Sequence, residues 1–254
     1  LQNPETGKLI AGVRVVKEKI MKKNLSILSK TFLALLISAS FVACDKDDDD
    51  DTGNIMVTHA SPNAPGVDLL VDNVKQNSSP LTFPNSTSYL EVNEGTRNIK
   101  VNAAGTSTTV IDANITIVED RNYSIFAINN LASISPIVVE DNLAAPASGN
   151  AHLRFFHLSP GAPSVTVGYL TGATFTPLFS DRAFETQATA TTNAAFTPVP
   201  AGTYTVDVRV AGTSTSVLNV PGVVLQAGKI YTVFARGVVG SATTPLSASV
   251  ITHN

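Results

Sequence analysis

The 254-residue sequence has no tryptophan, one cysteine, two methionines and only 15% charged residues. A single cysteine excludes an internal disulfide framework. The Glu-, Lys- and Leu-rich runs of long helices are missing, which excludes a helical bundle and disfavours an α/β fold. The four histidines, His59, His152, His157 and His253, lack the supporting residues of a three- or four-ligand zinc site, so no metal or cofactor is expected. His152 and His157 fall five apart on an expected strand and so point to opposite faces, and His253 reads as a tail residue. Beyond residue 51 the chain carries no basic stripe, and nucleic acid is not an expected partner.

Val, Thr, Ile, Ser and Ala dominate instead, punctuated by 16 Gly and 14 Pro. That composition suits short strands joined by tight turns. The charge is unevenly placed: residues 1–43 hold seven Lys/Arg against two Glu, and six Asp crowd into 45–51.

The lone cysteine stands where these two regions meet, in "FVACDKDDDDD". Before it, Lys22, Lys23 and Lys30 precede the 13-residue apolar run 31–43, the pattern of a secretory signal peptide. The run is short for a bilayer span, and an acidic flank is unlike a stop-transfer segment. The sequence therefore divides into 1–20, upstream reading frame; 21–43, signal peptide; and 44–53, an acidic tether that like-charge repulsion keeps extended. "FVAC" resembles a bacterial lipobox. The resemblance implies that Cys44 carries the lipid that holds the chain on a membrane, where several acyl chains bind firmly and one does not. Lys46, Asp47 and Asp48 resemble the surface-export signal of Bacteroidota lipoproteins, which implies an outer-membrane, cell-surface location. A periplasm-facing lipoprotein is the alternative.

The remainder repeats. His59-Ala-Ser-Pro-Asn-Ala-Pro recurs as His157-Leu-Ser-Pro-Gly-Ala-Pro, "EGTRNIKVNAAGTSTTV" (94–110) as "AGTYTVDVRVAGTSTSV" (201–217), and "YSIFAI" (123–128) as "YTVFAR" (231–236). Three collinear matches indicate a duplication. The second copy is longer by about nine residues, placed in 171–193. Within a copy, alternating segments such as "NIKVNAA" and "YTVDVRVAG" predict about seven short strands. The expected fold is all-β: two tandem Ig-like antiparallel β-sandwiches over 54–142 and 151–254, joined by a 143–150 linker. Their relative orientation does not follow from the sequence.

The His-Ala-Ser-Pro-Asn-Ala-Pro-Gly-Val-Asp motif, the Gly-Thr strand and the Tyr-Ser-Ile-Phe-Ala strand together resemble the DUF4397 family of secreted bacterial proteins. The resemblance covers both copies and implies no particular activity. The second copy departs from the pattern at Thr166 and Leu170, where the first has Asp68 and Asp72.

The repeated motif holds the candidate site residues His59, Ser61, Pro62, His157, Ser159 and Pro160. As a base–nucleophile pair it needs an orienting carboxylate and an oxyanion hole, and the one candidate acid, Asp68, has no counterpart in the second copy. The motif reads better as a rigid turn capped by its own side chains. "AGTSTT" and "AGTSTS" lack the ending of a phosphate loop and read as hairpin turns. Phe175, Phe179 and Phe184 form either a contact element in the inserted segment or the core of an added strand. The expected function is a non-catalytic surface module that binds or spaces an extracellular protein or glycan through its loops. Glycan capture for polysaccharide uptake is the alternative, weakened by the absence of Trp, and a hydrolase comes third.

Overall fold

The computed structural model describes residues 51–254. Segments 1–20 and 21–43, the lipobox Cys44, and Lys46, Asp47 and Asp48 lie outside the described residues.

Period-two alternation builds the outermost strands. Along β5 (Gly95–Ala103), Ile99 and Val101 turn inward; along β6 (Thr109–Ile117), Ile111, Ile115 and Ile117 do the same, while Asp112 and Asn114 stay exposed. The hairpin between them turns on Gly105 at φ 72°, a conformation glycine adopts without strain. With β2 (Val67–Val71) and β3 (Val74–Lys75) these strands form an outer sheet in the order β3-β2-β5-β6.

The inner sheet, β4-β1-β7-β8, contains β1 (Thr52–His59), β4 (Leu90–Asn93), β7 (Asn122–Ile128) and β8 (Ser135–Glu140). Strand β1 starts inside the expected tether: a Cβ on Gly53 would meet Ile117 and the Val118 carbonyl at 2.7 Å, so the backbone is already packed there.

The second half repeats this order. β9 (Asn150–His157), β12 (Thr197–Pro200), β15 (Ile230–Arg236) and β16 (Ser247–Thr252) make an inner sheet β12-β9-β15-β16. β10 (Val165–Thr171), β11 (Thr174–Arg182), β13 (Gly202–Val210) and β14 (Ser216–Leu225) make an outer sheet β11-β10-β13-β14. The short helix α1 (Gln187–Thr192) follows β11, with Thr186 and Thr189 forming a capping box.

The all-β, two-sandwich architecture is as expected, with two differences of detail. Each half has eight strands, not seven, and each inner sheet contains one parallel pair, β1 with β7 and β9 with β15. Tyr123 and Tyr231 hold the start of these central strands to the preceding turn. Each hydroxyl accepts the backbone N–H five residues upstream, Val118 at 3.3 Å and Gln226 at 3.2 Å, much as a tyrosine corner does.

The inner sheets are buried on both faces. Ile55, Val57, Tyr123 and Ile125 enter the first sandwich core, and Leu153, Phe155, Tyr231 and Ala235 enter the second. The intervening residues Met56, Phe126, Ile128, Ile137 and Val139 pack against Phe156, Leu158, Phe234 and Ile251. The described residues are thus stacked four layers deep: outer, inner, inner, outer. Phe126 sits at the middle of the seam, edge-on to Phe156 at 5.4 Å and to Phe234 at 6.1 Å. Such pairs add about 0.5–1.5 kcal/mol each beyond the area they bury.

Candidate functional site

The repeated motif closes the same turn in both halves. His59 ends β1 and its Nε2–H donates to the Pro65 carbonyl at 2.9 Å; His157 ends β9 and donates to the Pro163 carbonyl at 3.0 Å. The other nitrogen of His157 accepts the Ser159 N–H at 3.3 Å, and Ser159 Oγ donates to the Gly237 carbonyl at 2.7 Å. Pro62 and Pro160 lie within these turns, and both are buried. In the first half, His59 Nδ1 and Ser61 Oγ are buried without a protein partner, an arrangement one ordered water would satisfy. Burial holds both imidazoles below the ordinary histidine range. Both histidines, and Ser159 with them, serve backbone carbonyls, and in neither motif do serine and histidine side chains bond to one another as nucleophile and base. Asp68 is elsewhere: it accepts Lys75 Nζ at 2.8 Å and the Gly105 N–H at 3.1 Å.

The densest polar chemistry lies in the seam. Arg154, in β9, is fully buried, and its guanidinium meets the equally buried Asp141 carboxylate at 2.6 Å. From there a closed ring of hydrogen bonds runs through both halves. Arg154 Nε donates to Thr232 Oγ1 at 2.7 Å, Thr232 lies 2.7 Å from His253 Nε2, and His253 Nδ1 lies 2.8 Å from the Tyr89 hydroxyl. Tyr89 and Ser124 both donate to Asp141, at 2.6 and 2.7 Å. Since Tyr89 gives its proton to Asp141, His253 must donate to it from Nδ1 and accept from Thr232 at Nε2. A neutral imidazole fits that circuit and an imidazolium does not. Burial agrees, pushing His253 down to about 4. Burial, and then the Asp141 charge, pushes the Tyr89 hydroxyl up. The faces of Phe156 and Phe196 lie 5.0 and 4.4 Å from the Arg154 guanidinium.

Strand registers make this seam two-fold in layout and asymmetric in chemistry. Arg154 occupies the place that Met56 holds in the first half, His253 that of Asp141, Phe196 that of Tyr89, and Thr232 that of Ser124. His253 is therefore no tail residue; it closes a network between the halves. Sequence reasoning passed over Arg154 and Asp141 altogether. The available signal was one cation set among apolar neighbours in "HLRFFHL", aligned with a methionine in the other copy.

The inserted segment is not a free contact loop. Phe179 is buried in the second core, stacked on Phe155 at 6.1 Å, and Phe184 packs into the seam with its edge toward His157. Phe175 lies half-buried under the Arg209 guanidinium at 4.0 Å. These aromatics build the edge strand β11 and its return to the seam, because Gly168 opposite them leaves no room for a side chain: a Cβ there would meet the Thr176 carbonyl at 2.1 Å. The contact-element expectation gives way to the alternative of core packing, with one correction: the strand is not an added one but β11, the counterpart of β3 in the first half, lengthened from two residues to nine.

An open cleft lies at the loop end of the second sandwich. It encloses about 510 Å³ between the His157 turn and the β15–β16 loop, lined by Val165, Val208, Leu218, Ala235, Pro245 and Leu246. The loop is longer than its β7–β8 counterpart and is tied down by the Ser159–Gly237 hydrogen bond and by Val238 N–H to the Thr244 carbonyl, 2.8 Å. Among the described residues, no group of three or more His, Cys, Asp or Glu is placed to hold a metal ion, and no helix is long and apolar enough to cross a membrane.

Fold and geometry together define a double β-sandwich whose motif histidines are engaged in turns and whose buried Arg154–Asp141 pair lies in a seam. Residues 53–168 match the family described as a domain of unknown function, DUF4397; the stretch runs from β1 into β10. No curated protein matches the chain.

Proposed function

We propose that the chain is a lipid-anchored surface lipoprotein of Bacteroidota type, in which two copies of the DUF4397 domain form one rigid, non-catalytic binding or spacer body. The second copy follows the strand order of the first through all eight strands. Cys44 supplies the anchor, and Lys46, Asp47 and Asp48 direct it outward.

The observation that carries this reading is the commitment of the motif side chains. Both motif histidines, and Ser159 with them, hold backbone carbonyls, while an apolar cleft of about 510 Å³ opens among the loops beside one of them. That volume is in the range of small-ligand sites, and loops on a rigid scaffold are where binding surfaces concentrate. The partner is an extracellular protein or glycan, and the cleft takes an uncharged apolar portion of it, since none of its lining residues carries a formal charge with His157 neutral.

The experiment is protease shaving of intact cells against lysed cells, read by mass spectrometry for peptides from 51–254. Release from intact cells, lost when Cys44→Ala frees the protein from the membrane, is the expected result. Release only after lysis would contradict the surface assignment.

A further inference from the structure

The two halves treat their free sheet edges differently. In the first half the outer side of β8 is closed. Val138 sends its N–H to Gln187 Oε1 at 2.8 Å and receives Gln187 Nε2 on its carbonyl at 2.7 Å, so one glutamine side chain of α1 imitates a neighbouring strand. Two residues before, Pro136 has no N–H to offer, and two residues after, Glu140 brings a charge, paired with Arg121 at 2.8 Å. Proline, charge and a covering side chain are the standard means of blocking edge-to-edge pairing.

Strand β16 is the counterpart of β8 and has none of them. Val138 pairs with Ile125 and Val250 with Val233, at matching positions of the two inner sheets. The outward-facing backbone groups of β16 are therefore those of Ala248, Val250 and Thr252, by the alternation of an antiparallel ladder. Ala248 stands where Pro136 does and Thr252 where Glu140 does. Among the described residues nothing bonds to these three backbones on the outer side. The strand reads "SASVIT", uncharged and free of proline, and Val250 is 52% exposed.

We propose that β16 is a self-association strand: two copies of the chain pair antiparallel about Val250, joining their second inner sheets into one continuous sheet. The register is self-complementary. With Val250 opposite Val250 of the second copy, Ala248 falls opposite Thr252, and each pair exchanges N–H and C=O. A second copy suits the edge because a strand without charges brings no like charges together when it meets itself, and because the mate covers the exposed valine. The pairing leaves the cleft and the seam untouched, so it is independent of the function proposed above.

The test is crosslinking of the full chain in the cells that express it. A directly opposed, hydrogen-bonded pair has Cα atoms about 5.5 Å apart, which a disulfide spans. Val250→Cys is expected to give a disulfide-linked dimer of the chain on mild oxidation. Val74→Cys, equally open to solvent on β3 of the first half, is the control and should give little. Adding Ala248→Pro, a residue the fold already accepts at the equivalent Pro136, should abolish the dimer while leaving protease resistance unchanged. Equal crosslinking at the two positions would overturn the proposal. So would a dimer that survives Ala248→Pro, or an adduct of Val250→Cys with a different protein in place of a second copy.

Discussion

Replacing Asp141 by asparagine preserves the shape of the seam and removes one charge from it. The carboxylate lies 2.6 Å from the Arg154 guanidinium, with both side chains fully out of solvent. The amide can still accept from Tyr89 or Ser124, so the loss falls on Arg154, which becomes a buried cation without a counter-charge. Breaking a buried pair from one side costs about 3–5 kcal/mol. For a unit of this size each kcal/mol moves the melting temperature by roughly 2–4 °C, so D141N should melt roughly 10 °C lower. A second substitution separates charge from packing. Arg154→Met installs the residue that the first half already carries as Met56, and in the D141N background it removes the orphaned cation. Exchanging a buried ion pair for apolar groups is often neutral or better, so the double variant should recover at least half of what D141N lost. Denaturant midpoints with their slopes would measure both. A D141N loss below about 1 kcal/mol, the value of an exposed pair, would refute the reasoning, as would a double variant less stable than D141N.

The same ring predicts a pH dependence. His253, packed among Tyr89, Asp141, Arg154 and Thr232, is held neutral, down to about 4 against an ordinary 6.5. Below pH 6.5 the unfolded chain takes up a proton that the folded chain refuses. Its contribution is complete above about 6.5 and falls by up to about 3 kcal/mol as pH drops toward 4. His59 and His157, also lowered by burial, act in the same direction. Urea midpoints at pH 7 and 4.5 should therefore diverge, and less so in His253→Gln; equal divergence in both proteins would remove His253 from the account. In the inserted segment, Phe179→Ala should cost about 3–5 kcal/mol as a buried aromatic. Phe175→Ala should cost no more than about 1 kcal/mol, the value of an accessible cation–π contact. Near-neutral effects at both would restore the segment as a contact element.

Where a strand has one wet face, its register was legible in the sequence. The alternation of "NIKVNA" and "YTVDVRV" locates β5 and β13, and the collinear motifs anticipate the matching strand orders of the two halves. The inner strands were harder. "IMVTHA" and "LRFFHL" read as continuous apolar runs because β1 and β9 are buried on both faces, one in a sandwich and one in the seam. No local pattern names the second partner, which comes from the other copy. For the same reason Arg154 and Asp141 looked unremarkable, and His253 looked like a tail: the contacts that give them meaning span from 13 to 164 residues. The inserted phenylalanines left two readings open, since apolar content alone does not distinguish a core strand from an exposed contact. The Gly168 approach and the stacking on Phe155 decide it, and neither follows from sequence spacing.

The central claim is that the seam makes the two halves into one body. Hydrogen exchange through a denaturant series, read on peptides from β5 in one outer sheet and β13 in the other, tests it most directly. These strands share no sheet and no sandwich core. If the Arg154–Asp141 ring and the Phe126 cluster couple the halves, both peptides lose protection at the same denaturant concentration, and D141N shifts both together. Loss at two separate concentrations, with D141N moving only one of them, would contradict it.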